Sequence, residues 1–359
     1  MSKIVRRLLA FPKTKAMNLK YSVGIDVAMD KFDVCIVVID DTQSVVIKAT
    51  KSFVLKKDYK PLLEWVKKHQ KENLPLCFTM EATGNYFEKL AAFLFENGCF
   101  VSVVLPNKAK KYFQSHGIKS KTDRIDAKGL AQMGAEQKLK PWQPFSKNIY
   151  KLRSLTRQHE SLTKQKTAIS NQLHGQTYNM YEVKEVIKQL KTIIRLIDKQ
   201  IDQVASMIAE LIEQDPELSS KTKKLLTIPG VGLLTVATVI AETNGFYLIE
   251  SIGQLISYAG YDVIENQSGN RVGRTKISKK GNSHIRRILF MPSLNVVRLK
   301  VTAFKLFYER LYERNKIKMK SYVGVQKKIL ILLYTLWRTD TSFIPDFDQV
   351  IHKKEVVPA

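Results

Sequence analysis

Four carboxylates stand in settings that suit a divalent metal: Asp26, Glu81, Asp123 and Asp126. Asp26 lies within the apolar run Tyr21-Ser-Val-Gly-Ile-Asp26-Val, and Glu81 ends another, Leu76-Cys-Phe-Thr-Met-Glu81. Acidic residues are poor strand formers, and a buried carboxylate is costly unless a cation compensates it. Asp123 and Asp126 stand three apart in Lys121-Thr-Asp-Arg-Ile-Asp126-Ala, which reads as the first turns of a helix. Residues at that spacing share a face, about 5–6 Å apart at Cβ. Taken singly, each acid is explained as a turn residue or a helix start, with Ser120 or Thr122 as the cap. Taken as a set they would repel one another, and hard ions such as Mg²⁺ remove the conflict. Two such ions can clamp the attacking and leaving oxygens of a phosphodiester. Asp30, Asp33, Asp40 and Asp41 compete for the first position but fall in turns or at strand ends, so they rank lower.

The elements that must position these acids are legible between residues 19 and 140. Ser22–Val27, Phe32–Ile39 and Val45–Phe53 are β-rich runs. The turns at Met29–Lys31 and Asp40–Gln43 are short enough for antiparallel hairpins. A helical pattern at Tyr59–Lys68, a strand at Leu76–Met80, a helix at Tyr86–Asn97 closed by Gly98 and a strand at Phe100–Leu105 follow. The order β-β-β-α-β-α-β-α predicts a ribonuclease H-like α/β domain, with the quartet on the first strand, the fourth strand and the last helix.

A second chemically suggestive stretch runs from Tyr258 to Arg287. It combines glycines with Arg271, Arg274, Lys276, Lys279, Lys280, Arg286 and Arg287, and Ser268-Gly269 sits in its middle. A basic loop ahead of a helix suits phosphate contacts. Taken by itself, Ser268 is a turn residue, and His284 is a helix-start residue with no evident acid partner. Upstream, Pro229-Gly230-Val231-Gly232 separates two apolar helical segments in the manner of a helix-hairpin-helix. Gly230 and Gly232 would let backbone N–H groups approach a phosphate; the competing reading is a tight turn in a core.

Between them, residues 141–218 form a polar helical region. Leu190, Ile194, Ile197, Ile201, Val204, Ile208 and Leu211 follow a heptad spacing, and Leu155, Leu162 and Ile169 precede a break at His174–Tyr178. This periodicity fits a hairpin within the chain or a coiled coil between copies, and a homo-oligomer, dimer or tetramer, is expected. Residues 219–345 read as a third, mainly helical domain ending near Tyr322–Trp337; residues 1–18 form a basic extension and 346–359 a polar tail.

Composition narrows the partners. The 359 residues carry a formal charge of +26, which favours a nucleic acid before any other polyanion. A hydrophobic content of 44% is that of a folded protein. Cys35, Cys77 and Cys99 lie in apolar stretches without a Cys-x-x-Cys pair, which argues against zinc and disulfides and for a reducing cytoplasm, beside the nucleoid. The longest apolar region, Leu225–Ala241, is interrupted at Pro229–Gly232, so no membrane span is expected.

The ordered set Gly24-Ile-Asp26-Val, Met80-Glu81-Ala-Thr-Gly-Asn-Tyr86, Lys121-Thr-Asp-Arg-Ile-Asp-Ala127, Ile228-Pro-Gly-Val-Gly232, Tyr258-Ala-Gly260, Gln267-Ser-Gly269 and Ile277-Ser-Lys-Lys-Gly-Asn282 resembles the DEDD transposases of the IS110 insertion-sequence family, relatives of the Piv invertase. The resemblance covers about residues 20–340. It implies a RuvC-like domain, a coiled-coil region and a transposase domain. It also implies that Asp26, Glu81, Asp123 and Asp126 are the metal-holding quartet and that Ser268 is the nucleophile. It implies RNA guidance as well, by a structured non-coding bridge RNA that pairs with donor and target DNA. Two rivals stand beside a serine recombinase: a RuvC-type junction nuclease using water, and a non-enzymatic nucleic-acid-binding protein.

Overall fold

The computed structural model describes residues 20–39, 44–118, 120, 122–247, 249–268, 271–273 and 275–345. The basic extension, the Asp40–Gln43 turn with Asp40 and Asp41, Gly269, Arg274 and the tail lie outside the described residues. The chain divides into two compact units, Met1–Pro144 and Phe145–Ala359.

The first unit is built on a five-stranded sheet in the order β3-β2-β1-β4-β5. Its strands are β1 (Tyr21–Val27), β2 (Lys31–Ile39), β3 (Val45–Val54), β4 (Leu76–Glu81) and β5 (Phe100–Val104). The two hairpins β1–β2 and β2–β3 are antiparallel, whereas β4 and β5 run parallel to β1. That is the strand order expected of a ribonuclease H-like fold.

Alternation along each strand sorts the side chains between two faces. Tyr21, Val23, Ile25, Phe32, Val34, Phe78 and Met80 share one core with Leu62 and Val66 of α1 (Tyr59–His69) and with Phe87, Leu90 and Leu94 of α2 (Tyr86–Glu96). The opposite face, carrying Cys35, Val37 and Ile39, is covered by Ala127, Ala131 and Ala135 of a later helix, Asp123–Glu136.

Between β5 and that helix lies α3 (Pro106–Ser115), which the sequence reading did not foresee. Pro106 ends the strand, but it also occupies the first turn of a helix, where its missing N–H costs nothing. The Asp123–Glu136 helix is therefore α4. Thr122 caps it, accepting a hydrogen bond from the Ile125 N–H at 3.3 Å.

The second unit is almost wholly helical. α5 (Lys147–Gln176) and α6 (Lys184–Glu213) pack on each other. The heptad residues Ile197, Val204, Ile208 and Leu211 are buried in one core with Leu152 and Leu162, so the seam is used within the chain. The same core takes in α7 (Pro216–Leu225), α8 (Leu233–Thr243), α9 (Ile252–Ala259), α10 (Ser283–Ile288), α11 (Phe290–Arg298), α12 (Thr302–Asn315) and α13 (Lys318–Thr339). Four two-residue strands, β6 (Val263–Ile264), β7 (Gln267–Ser268), β8 (Arg271–Val272) and β9 (Lys276–Ile277), interrupt the helices. Among the described residues no helix is long and apolar enough to cross a membrane.

Candidate metal centre and serine ribbon

The acidic centre follows from the two-residue period of the strands. Ser22, Gly24 and Asp26 alternate with the core-facing Val23 and Ile25, so Asp26 points toward α4; Cys77, Thr79 and Glu81 do the same on β4. The parallel register Ile25↔Met80 sets Asp26 and Glu81 next in line on neighbouring strands. α4 packs on β1, β2 and β4, and glycines allow the approach. A Cβ on Gly24 would overlap the Ala127 carbonyl oxygen and Ala131 nitrogen, and one on Gly134 would overlap the Ser22 and Thr79 hydroxyls. The helix backbone thus lies against the strand, and its first turn, with Asp123 and Asp126, is brought beside Asp26.

The charges at this patch register the crowding. Burial pushes the Asp26 carboxyl up to about 6, with the nearby negative charges of Asp126, Asp123, Glu81 and Asp33 adding to the effect. Asp33 is a fifth carboxylate, one that the strand-end ranking passed over. It sits directly across from Asp26 in the β1–β2 ladder and is 2% exposed. It is compensated locally: it accepts from the Ser52 hydroxyl, and Lys31 Nζ lies 3.1 Å away. The same ammonium reaches Asp123 at 2.8 Å, and Arg124 stands 3.9 Å from Asp33. Among the described residues, no three such groups converge on one ion with the side chains as they stand. The donor chemistry nonetheless fits a hard divalent cation: the set is all oxygen, and Asp26 is raised by burial and then by the like charges around it. Asp123, whose side chain is 46% exposed, has room to turn from Lys31.

Ser268 belongs to the second unit, on an irregular ribbon between α9 and α10. β6 pairs antiparallel with β9 at its base; β7 pairs with β8 near its tip, where Ser268 faces Arg271. Ser268 is exposed, as are Lys276, Lys279 and Lys280. Two further basic residues are engaged by the protein itself. Arg286 donates to the carbonyls of Ala259 (2.7 Å) and Lys279 (3.1 Å), tying the two ends of the ribbon together. Arg287 pairs with Glu160 of α5, which also meets His284 Nδ1 at 2.5 Å, so His284 has the acid partner that the sequence did not reveal.

The anchor beneath the ribbon is Glu242, 1% exposed near the end of α8. It accepts from Arg157 Nε (2.7 Å) and Nη2 (3.0 Å) and from Asn282 Nδ2 (2.6 Å), while Arg153 lies 3.8 Å away. Its backbone carbonyl accepts from the Tyr258 hydroxyl at 2.6 Å. Burial pushes this carboxyl up, but the Arg157 and Asn282 hydrogen bonds and the two arginine charges outweigh it and hold it below the usual range. Asn282 also caps α10 through the His284 and Ile285 N–H groups. One signal for Glu242 existed: it is a lone acid in Leu233-Leu-Thr-Val-Ala-Thr-Val-Ile-Ala-Glu-Thr243. Its partner Arg157, 85 positions away, had none.

Gly230 and Gly232 differ. Gly230 has φ +82°, and a Cβ there would stand 3.1 Å from the Asn295 Cβ, so it serves a tight turn packed on α11. Gly232 faces open space at the start of α8.

Comparison with known proteins places the chain in a family. A DEDD transposase model of the IS110 type matches residues 23–182, and a model for the IS116/IS110/IS902 transposase family matches residues 222–309. The pilin gene-inverting protein of Moraxella bovis is 30% identical over 93% of this chain and 99% of its own length. The transposase for insertion sequence element IS1111A of Coxiella burnetii is 23% identical over 74% of this chain and 79% of its own. Among solved structures, Thermus thermophilus RuvC is 15% identical over 34% of this chain and 99% of its own, with a TM-score of 0.27. From the two family matches and the near-complete alignment with the inverting protein, the chain belongs to the IS110 family of DEDD transposases and is a DNA transposase or recombinase.

Proposed function

We propose that this enzyme moves DNA by serine-mediated phosphoryl transfer, with Asp26, Glu81, Asp123 and Asp126 holding Mg²⁺ and Ser268 as the nucleophile. The observation that carries the metal half is the placement of Asp26: a partly buried carboxylate among other acids, raised to about 6, with α4 drawn onto its strand by Gly24. When bound, divalent cations supply charge neutralisation to the phosphate and acidify a nearby hydroxyl. The family resemblance at Gln267-Ser268-Gly269 and the exposure of Ser268 on a braced basic ribbon support the other half.

In this reaction the Ser268 Oγ forms a bond to phosphorus and gives up its proton. The P–O bond to one deoxyribose breaks, and the released sugar oxygen takes a proton. A phosphoserine diester retains the bond energy, and attack by another sugar hydroxyl reverses the steps and frees Ser268. Lys276, Lys279 and Lys280 hold the DNA backbone beside the serine. Arg271 and Arg274 extend that set by sequence. Exchange between two duplexes needs several strands cut, which supports a homo-oligomer, and the guide RNA implied by the family would draw on the same basic surface.

Asp126→Ala tests the metal half. It should cut Mg²⁺-dependent strand cleavage by about a thousandfold, as expected for several kcal/mol of lost transition-state stabilisation, while melting and DNA binding are kept. Normal cleavage by a folded Asp126→Ala protein would refute the assignment.

A further inference from the structure

The last two long helices carry a surface that neither the acidic centre nor the serine ribbon uses. α12 and α13 pack on each other through a tight turn at Lys316, which adopts φ +54°. Gly324 of α13 lets the Leu311 side chain of α12 lie against it. Phe304, 1% exposed, and Phe307 face the core. On the flank of the same pair stand three partly exposed tyrosines, of which Tyr308 also packs against the core. The Tyr308 and Tyr312 rings are parallel within 1° at 6.2 Å, and Tyr322 of α13 lies 4.6 Å from Tyr308.

The charge around this ledge is one-sided. From residue 302 to 328, Lys and Arg outnumber Glu by eight to two. Lys305 precedes Tyr308 by three positions, a helical spacing that shares a face, and pairs with Glu309 at 3.6 Å; Lys316, the left-handed cap of α12, is exposed. Lys318 and Lys320 follow the turn and are exposed. The family models stop at residues 182 and 309, so neither reaches Tyr312, Tyr322 or the lysines of the turn.

Ring faces beside a row of ammonium groups suit a partner with flat apolar faces and a phosphate backbone. Bases in a duplex are already stacked on their neighbours, whereas unpaired bases are free to cover an aromatic ring, and such stacking tolerates any sequence. We propose that the Tyr308–Tyr312–Tyr322 ledge binds an unpaired nucleic-acid strand, whose bases cover the rings while its phosphates pass Lys305, Lys316 and Lys318. The ledge does not depend on Ser268 or on metal, so its test leaves the reading of the catalytic residues untouched.

The test uses the full chain and fluorescently labelled 12-nucleotide oligo(U), oligo(dT) and a 12-base-pair duplex at fixed salt. Tyr312→Ser should weaken binding of the single strands roughly tenfold, as expected for one lost stacked base, and change duplex binding less than twofold. Tyr312→Phe should keep wild-type affinity, because the ring is what matters. Lys318→Gln should lower the salt slope for single strands by about 0.7. Loss with oligo(U) alone would support the proposal and identify RNA; loss with both oligomers would support it for either sugar. Equal weakening of single strands and duplex, no change in any, or failure of Tyr312→Phe to restore binding would overturn it. Should Tyr312→Ser fail to fold, ultraviolet crosslinking of wild-type protein to 5-bromouracil oligomers decides the matter. Attachment at Tyr308, Tyr312 or Tyr322 supports the ledge, and attachment only elsewhere overturns it.

Discussion

Asp26 of the first unit is a partly buried carboxylate and Glu242 of the second a fully buried one, and their surroundings are opposite. Glu242 meets a bidentate arginine, a second arginine and an amide, and its carboxyl is held below the usual range. Asp26 is pushed up to about 6 by burial first, and further by the charges of Asp126, Asp123, Glu81 and Asp33. In the first arrangement the carboxylate is met by two arginine charges, one hydrogen-bonded and one at 3.8 Å, and the result is a brace under the serine ribbon. The second is left short of positive charge by the protein itself. Lys31 and Arg124 serve Asp33, and Lys31 serves Asp123, which leaves Asp26 in a field of its own sign. A buried acid with protein partners is built to hold the fold. One pushed up by burial and then by like charges is what the proposed metal centre calls for.

The largest stability effect expected from this contrast is on the braced side. Glu242→Gln would leave Arg157 and Arg153 without their counter-charge, a loss of about 3–5 kcal/mol. Calorimetry should show a melting temperature lower by roughly 10 °C. A neutral effect would mean that the arginines find other partners and that the brace is not ionic.

On the acidic side the sign reverses. Asp26→Asn removes a charge from a repelling cluster. Metal-free protein should gain about 1–2 kcal/mol after allowance for solvent screening, or roughly 3–6 °C, while cleavage is lost. Millimolar Mg²⁺ should raise the melting temperature of the wild type and do much less for Asp26→Asn, since the ion stabilises only the protein that binds it. A destabilised Asp26→Asn protein would show that Asp26 serves the fold as Glu242 does.

The smallest effect is one of pH. Asp26 has a folded pKa raised above its unfolded value of 3.8, so its contribution is complete below about pH 4 and lost as pH rises through about 6. Glu242 has a lowered folded pKa; its contribution is complete above about pH 4.5 and lost only as pH falls below that. Between about pH 4.5 and 6.5, denaturant titration without metal should therefore show stability falling in the wild type relative to Asp26→Asn. The difference between wild type and Glu242→Gln should stay nearly flat. Parallel behaviour of the two variants would erase the distinction.

How much of this was legible depended on the range of the interaction. Strand alternation and hairpin turns are local, so the three-stranded start, the two parallel strands and the acids on them could be read from residues 21–126. Asp33 was passed over because its importance lies in its register with Asp26, which no local pattern states. α3 was hidden because Pro106 serves equally as a strand stop and a helix start. The heptad seam was visible, but periodicity alone does not name the partner; within this chain its buried residues share a core with α5. The brace at Glu242 joins α5, α8 and the start of α10, and only folding makes those residues neighbours.

The central claim, that Ser268 carries the DNA, is tested most directly by trapping the reaction of labelled substrate under denaturing conditions and mapping any protein–DNA adduct by peptide analysis. The account predicts an adduct on Ser268 that requires Mg²⁺ and disappears in both Ser268→Ala and Asp126→Ala. Cleavage that persists in Ser268→Ala would make water the nucleophile, and an adduct on any other residue would contradict the assignment of this serine.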